Sequence, residues 1–122
     1  MATQDDVRRL CLKLPGVTES EVGFAFGVNV KGKHRGFCWT WNERVDPKKP
    51  KVPNPGVLAI RVESLSAKDI LLESDPEKFF TEPHYNGFPA ILVRLAAIEA
   101  DALEDLLIEG WRCMTPSTTR KA

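Results

Sequence analysis

At 122 residues the chain has the length of a single domain, which we expect to span residues 1–122 with a folded core over about residues 4–116. Its 17 basic residues balance 17 acidic ones, so the composition lacks the strong positive charge of many nucleic-acid-binding proteins. No apolar run approaches the roughly 20 residues that cross a bilayer, and the acidic, polar first residues are unlike a signal peptide. We therefore expect a cytoplasmic protein that does not enter a membrane.

The three cysteines, Cys11, Cys38 and Cys113, form no Cys-x-x-Cys pair. This pattern does not indicate a zinc site or a disulfide framework, so we expect free thiols that are mostly buried. A cysteine nucleophile needs a nearby base, and the hairpin register derived below separates Cys38 from His34. We therefore expect no catalytic residue, no metal and no cofactor, that is, a protein that is not an enzyme.

The first predicted element is a helix over residues 4–14. Thr3 is expected to cap its N-terminus, with Asp6 completing a capping box, and Pro15-Gly16 ends it. Its buried stripe follows the i, i+3, i+4, i+7 spacing and consists of Val7, Leu10, Cys11 and Leu14.

A β-hairpin is predicted next, because large residues alternate with small or polar ones on both sides of residues 31–34. A two-residue loop of Gly32 and Lys33 would form a type II′ turn and pair Lys31 with His34. This register places the large residues of both strands on one face: Phe24, Phe26, Val28, Val30, Phe37, Trp39 and Trp41. We therefore expect Trp39 and Trp41 to lie in the core and not to be base-stacking platforms.

Residues 42–56 are rich in proline and lysine and are predicted to form a loop. A third strand follows over residues 58–62. Ser66 and Asp69 are expected to open a short helix, and Asp75-Pro76 a further helical turn that carries Phe79 and Phe80. After an irregular segment, a fourth strand covers residues 91–95 and a last helix covers about residues 100–113.

This order of elements is typical of an α+β protein in which helices pack on one face of an antiparallel sheet. The covered face is expected to hold the hairpin aromatics with Ile60 and Val93. The opposite face is expected to be open and to present Asn29, Thr40, Arg61 and Arg94.

Several segments together resemble the MmcQ/YjbR family over about residues 4–116. They are Leu14-Pro15-Gly16, the hairpin over residues 26–33, the stretch over residues 79–95 and the leucine-rich helix that ends near Trp111. The resemblance implies a frataxin-like, double-wing architecture and a role in DNA binding, and it implies no catalytic residue. Iron binding would need clustered carboxylates, which the first helix, with its mixed charges, does not offer.

The candidate nucleic-acid-binding residues lie between residues 31 and 51, a segment that contains seven basic residues and two acidic ones. Lysine and arginine on a protruding hairpin can contact phosphates. The candidates are Lys31, Lys33, Arg35, Lys48, Lys49 and Lys51. The plainer interpretation is that these side chains only solvate loops. DNA is the expected partner, and the sequence predicts no oligomeric state.

An alternative hypothesis is a small-molecule or protein interaction module that uses the open sheet face. Its candidate residues are Asn29, Thr40, Arg61, His84, Tyr85 and Arg94. Loops carry binding residues more often than core elements do, which favours His84 and Tyr85. The plainer interpretation is that these two side chains hold their own loop by hydrogen bonds.

Overall fold

The computed structural model describes residues 1–21, 23–43, 48 and 50–115. Six strands form one antiparallel sheet in the order β1-β2-β3-β4-β6-β5. The elements in chain order are α1 (Gln4–Leu12), β1 (Val17–Glu19), β2 (Ala25–Val30), β3 (Lys33–Glu43), β4 (Val52–Arg61), α2 (Leu65–Ser74), β5 (Phe79–Phe80), β6 (Ala90–Arg94) and α3 (Ala100–Met114). Short 3-10 turns occupy Pro83–Tyr85 and Leu95–Ala97. The three helices pack on one face of the sheet, which confirms the predicted α+β class.

The helix starts show how local capping fixes the elements. At α1 the predicted capping box is present, because the Thr3 hydroxyl accepts from the Asp6 N–H and the Asp6 carboxylate accepts from the Thr3 N–H. At α2 the prediction was wrong by two residues, because Ser64 and not Ser66 is the cap. Its hydroxyl accepts from the Ala67 N–H at 3.1 Å.

The main core lies between the sheet and the helices. Its fully buried side chains include Val7, Cys11, Phe26, Phe37, Leu58, Ile60, Ile91, Val93, Leu103 and Leu107. Gly110 lets α3 approach the sheet closely, since a Cβ there would lie 3.1 Å from Ile60 Cγ2 and 3.4 Å from Phe37 Cδ2. The helices therefore pack closely on one face of the sheet and do not cover the other face.

The β2–β3 turn differs from the predicted type II′ turn. Its central residues are Lys31 and Gly32, with φ of 53° and 81°, and Val30 pairs with Lys33. Positive φ at both central positions is the signature of a type I′ turn, whose twist matches that of the flanking strands. Glycine takes the second position without strain, which shifts the loop by one residue from the predicted place.

A β-bulge in β3 overturns the predicted faces. Gly27 pairs with Gly36 and Phe26 pairs with Cys38, so Phe37 has no partner in β2. An extra residue reverses the alternation beyond it. Phe37 and Cys38 therefore both enter the main core.

The residues after the bulge exchange faces accordingly. Trp39 and Trp41 lie on the open face, with Ala59 and Leu92, and not in the predicted core under the helices. Thr40, predicted on the open face, lies on the helix side, where it accepts a hydrogen bond from Gln4 Nε2 of α1 at 3.3 Å.

The sheet is also larger than predicted. Residues 42–43 and 52–56 are strand and not loop. Beyond a register shift after Thr40, β3 and β4 pair again, Asn42 with Pro53 and Glu43 with Val52. Phe79 and Phe80 form β5 and not a helical turn. Both edge strands are very short, with three residues in β1 and two in β5. Such short pieces carry little periodic signal in a sequence.

Candidate functional site

The first half of the predicted basic segment forms an exposed hairpin tip. Lys31, Lys33 and Arg35 are all exposed at the β2–β3 turn. They line an open concavity of about 470 Å³ together with Val30 and with Thr115, which follows α3. We call these three cations the hairpin tip.

The second half of the basic segment lies at the other end of β3. Lys51 directly precedes β4, whose first residues pair with the last residues of β3. Lys33, in contrast, is the first residue of β3. A strand of 11 residues spans on the order of 30 Å. Lys48 and Lys51 are therefore not part of the surface formed by the hairpin tip. Lys49 lies outside the described residues.

The cations of the hairpin tip differ from the basic residues of the helices in their partners. Arg8 of α1 forms a two-pronged ion pair with Glu19, at 2.8 and 2.9 Å. Other helix and turn cations are paired as well: Arg9 with Asp6, Lys13 with Glu104, Lys78 with Asp75 and Arg112 with Glu109. Within the described part of the chain, the hairpin tip makes no ion pair. Its positive charge is therefore not neutralised by those residues.

The open face of the sheet carries two similar groups of aromatic and arginine side chains. In the first, the ring centroids of Trp39 and Phe88 are 6.4 Å apart, and the Arg61 guanidinium carbon lies 4.9 Å from the Phe88 centroid. We call Trp39, Phe88 and Arg61 the Phe88 triad. The distances are typical of aromatic and cation–π contacts.

The second group repeats this composition. Trp41 and Phe80 meet edge to face at 5.5 Å, and the Arg94 guanidinium carbon lies 4.2 Å from the Phe80 centroid. We call Trp41, Phe80 and Arg94 the Phe80 triad. Val57, Ala59 and Leu92 form a buried floor on which Trp39, Trp41 and Phe80 pack.

The loop that follows β5 is held in place by three hydrogen bonds. Trp39 Nε1 donates to the Tyr85 hydroxyl at 3.0 Å. From beneath, Lys68 of α2, only 3% exposed, donates to the carbonyl oxygens of Tyr85 and Phe88. Burial of the Lys68 ammonium lowers its pKa below the ordinary value of 10.5. Phe88 is thereby fixed at the surface, 38% exposed.

The structure brings together most of the predicted ligand face. Asn29, Arg61, Tyr85 and Arg94 lie on the open side, whereas Thr40 does not. The side chain of His84 lies outside what the structure describes. Sequence reasoning considered Trp39 and Trp41 as stacking platforms but assigned them to the core, because the bulge that turns them to the open face has no clear signal in the sequence. It did not consider Phe80 and Phe88.

One polar atom on the open face stands out. Arg61 Nε is buried and, within the described residues, has no hydrogen-bond partner. Buried polar groups are normally paired, so an orphaned donor beside an aromatic surface indicates a place where an acceptor would be favoured.

The thiols and membrane-related features add little to the site. The Sγ atoms of Cys11 and Cys38 lie 3.6 Å apart in the core, and burial raises the pKa of the Cys38 thiol.

Within the described ranges, no three His, Cys, Asp or Glu side chains gather to hold a metal ion. None of the helices among those residues is long and apolar enough to traverse a bilayer.

The fold has a counterpart among solved structures. The crystal structure of Deinococcus radiodurans protein DR2400, a DUF419 domain, superimposes with a TM-score of 0.72 over 99% of this chain and 87% of that chain, at 23% identity. The chain is thus an α+β protein with the fold of DR2400, in which one sheet face is left free by the helices.

Curated relatives give the family. Uncharacterised protein Rv2570 of Mycobacterium tuberculosis (strain H37Rv) and uncharacterised protein Mb2600 of Mycobacterium bovis are each 33% identical over 117 residues, covering 95% of this chain and 91% of the relative. The chain belongs to the family of these mycobacterial proteins. No model of a known protein family matches the sequence.

Proposed function

We propose that the protein binds nucleic acid, as a non-catalytic member of the MmcQ/YjbR family that its sequence resembles. The hairpin tip would be the element that contacts phosphates. The observation that carries the proposal is the set of three exposed cations, Lys31, Lys33 and Arg35, without ion pairs among the described residues. Binding to phosphates by such cations releases counterions, which is the main source of sequence-independent affinity.

The backbone of Lys31 supports this proposal. With φ of 53°, Lys31 occupies a left-handed conformation that is unfavourable for a side chain of its kind and ordinary for asparagine or glycine. If the geometry of the type I′ turn were the only requirement at this position, asparagine or glycine would be more favourable than lysine. An observed backbone outlier of this kind is a reason to infer a role for the side chain.

The second basic turn would be a separate contact. Lys48 and Lys51 lie on the order of 30 Å from the hairpin tip. One duplex can touch both turns only if it runs beside β3 for roughly nine base pairs, at about 3.4 Å for each. We expect a Lys48→Gln/Lys51→Gln variant to weaken binding to a duplex of about 20 base pairs, and to leave binding to a duplex of about six unchanged.

The test is a titration of a labelled random duplex at several salt concentrations, followed by fluorescence anisotropy. The variant is Lys31→Gln/Lys33→Gln/Arg35→Gln. The matched control is Arg9→Gln/Lys13→Gln/Lys78→Gln, which removes the same charge from ion-paired positions elsewhere. Losing three phosphate contacts should reduce the slope of log affinity against log salt by about 2 to 3.

The outcomes separate specific contact from general charge. Weakened binding with a reduced slope in the hairpin variant, and near-normal binding in the control, would support the proposal. Equal weakening in both variants would show that net charge and not the hairpin tip governs binding. If the wild-type protein fails to bind even at about 50 mM salt, where phosphate contacts are strongest, the proposal is wrong.

A further inference from the structure

We infer that the open face of the sheet binds single-stranded nucleic acid, with bases stacked at the Phe88 triad and the Phe80 triad. This inference rests on the proposed function and deepens it, because it names a single strand and a second surface. Sequence-tolerant single-strand sites combine aromatic side chains, on which bases stack, with cations that track the backbone. Both components are present on this face.

The two triads are built and spaced as a repeated unit. Each contains one tryptophan of β3, one phenylalanine and one arginine whose guanidinium lies over that phenylalanine. Trp39 and Trp41 are two residues apart on β3, which places them about 7 Å from each other along the strand. The face therefore offers two adjacent stacking positions for two successive bases of an extended strand.

The arginines favour an anionic occupant. Neither Arg61 nor Arg94 forms an ion pair with a carboxylate of the described residues, and Arg61 Nε lacks any acceptor among them. Arg94 uses one terminal nitrogen, Nη1, to donate to the carbonyl oxygens of Pro76 and Glu77. A guanidinium has five N–H donors, so donors on both arginines are left for phosphate oxygens.

The aromatic rings are accessible in a way that the core aromatics are not. Phe88 is 38% exposed, and Trp39, Trp41 and Phe80 are only partly buried. Trp111, on the helix side, is 7% exposed, and its indole donates to the Pro15 carbonyl oxygen at 3.0 Å. The open-face rings thus lie at a surface that the helices do not cover.

The hairpin tip adjoins the open face but does not lie on it, because Lys33 and Arg35 pair with Val30 and Val28, whose side chains pack on the helix side. Gly27 and Gly36 pair directly and leave a stretch of the face without side chains. The His34 imidazole fills part of this gap, since a Cβ on Gly27 would lie 2.6 Å from its Nε2. A strand on the open face can therefore pass His34 and reach Arg61 and the Phe88 triad without meeting a bulky side chain of β2, independently of the hairpin tip.

A protein ligand is the competing occupant, since aromatic grooves also bind proline-rich peptides. A groove for a proline-rich peptide requires aromatic surfaces, but it does not require two arginines that lack carboxylate partners. The repeated pairing of a ring with a guanidinium favours a ligand that presents flat rings and negative charges alternately, as a nucleic acid strand does.

The test compares a labelled 12-nucleotide oligothymidylate with a labelled duplex on the full chain, using anisotropy and quenching of tryptophan emission. The variants are Phe88→Ala and Arg61→Gln. Their matched controls are Ile70→Ala, an exposed apolar residue on the helix side, and Arg9→Gln, an exposed arginine of α1. Circular dichroism and thermal unfolding are used to check that each variant folds.

We expect Phe88→Ala to weaken single-strand binding roughly tenfold, because loss of one stacked base has that effect. Arg61→Gln should weaken it and lower its salt dependence. Duplex binding through the hairpin tip should stay within about twofold for both variants, and the two controls should bind like the wild type.

The other results would overturn the inference and are distinguishable from failure of the proposed function. Duplex binding that depends on the hairpin tip, with single-strand binding insensitive to Phe88→Ala and Arg61→Gln, would refute the open-face site alone. Failure to bind either nucleic acid would refute both proposals. Binding of a labelled proline-rich peptide that Phe88→Ala abolishes, without single-strand binding, would make the open face a peptide site.

Discussion

Trp39 Nε1 donates a hydrogen bond to the Tyr85 hydroxyl, at 3.0 Å, across the open face of the sheet. The contact joins β3 to the 3-10 turn Pro83–Tyr85, which is 46 residues further along the chain. It fixes the edge of the Phe88 triad, because Tyr85 and Phe88 also meet edge to face with centroids 6.1 Å apart. The loop and the sheet thus form one surface.

Tyr85→Phe tests this link with the loss of a single oxygen atom. The ring contact with Phe88 is kept, while the partly buried indole N–H of Trp39 loses its acceptor. We expect the free energy of unfolding to fall by about 1 kcal/mol, measured by urea denaturation. Hydrogen exchange of the amides in residues 83–88 should become faster. Unchanged stability and exchange would show that water replaces the phenol without loss.

Gly27 and Gly36 provide a matched pair for a packing prediction. A Cβ on Gly27 would lie 2.5 Å from the Arg35 carbonyl oxygen, whereas one on Gly36 meets nothing closer than 3.9 Å. We expect Gly27→Ala to lower the free energy of unfolding by about 1 to 3 kcal/mol, because backbone must move. Gly36→Ala should change it by less than about 0.5 kcal/mol. Similar effects at both positions would contradict the observed register.

Lys68 should give stability a distinctive pH dependence. Its pKa is lowered by burial in the folded chain and returns to about 10.5 on unfolding, so the unfolded chain binds more protons between these two values. Stability should therefore rise with pH in that window, relative to Lys68→Met. A neutral amine still donates, so the carbonyl oxygens of Tyr85 and Phe88 keep a donor.

The measurement for Lys68 is urea denaturation at several pH values up to about 10.5. Lys13→Met serves as control, since Lys13, which follows the last residue of α1, is exposed and pairs with Glu104. A stability difference between wild type and Lys68→Met that is flat with pH would mean that the ammonium is better solvated than its burial indicates.

Lys31→Asn should separate stability from binding. Asparagine tolerates the φ of 53° found at this position, so we expect the free energy of unfolding to rise by about 0.5 to 1 kcal/mol. Loss of one cation should nevertheless weaken duplex binding and reduce its salt slope by about 0.9. A variant that is both more stable and equally tight in binding would show that Lys31 contacts no phosphate.

The predictability of the fold varied with the length and periodicity of its elements. α1 with its Thr3 cap, α3, and the inward faces of β4 and β6 all followed from apolar spacing and capping rules. β1 and β5 did not, because two or three residues cannot show a period, and they form only by pairing with β2 and β6.

Only part of the candidate site was predicted from the sequence, because the prediction depended on the regularity of each individual strand. Arg61 and Arg94 were placed on the open face correctly, since β4 and β6 alternate regularly there. The tryptophans were misplaced because alternation was carried through Phe37, where the bulge lies. The basic residues were treated as one segment, although β3 separates them by its full length.

The bulge at Phe37 also has an evolutionary consequence. Whether Trp39 and Trp41 face solvent or the helices is decided by the number of residues between the β2–β3 turn and Trp39, and not by their identity. Deletion of a single codon there would exchange the inner and outer surfaces of half of β3 at one step. Among homologues, a gap at this place would therefore mark a change of surface chemistry even where every aromatic residue is retained.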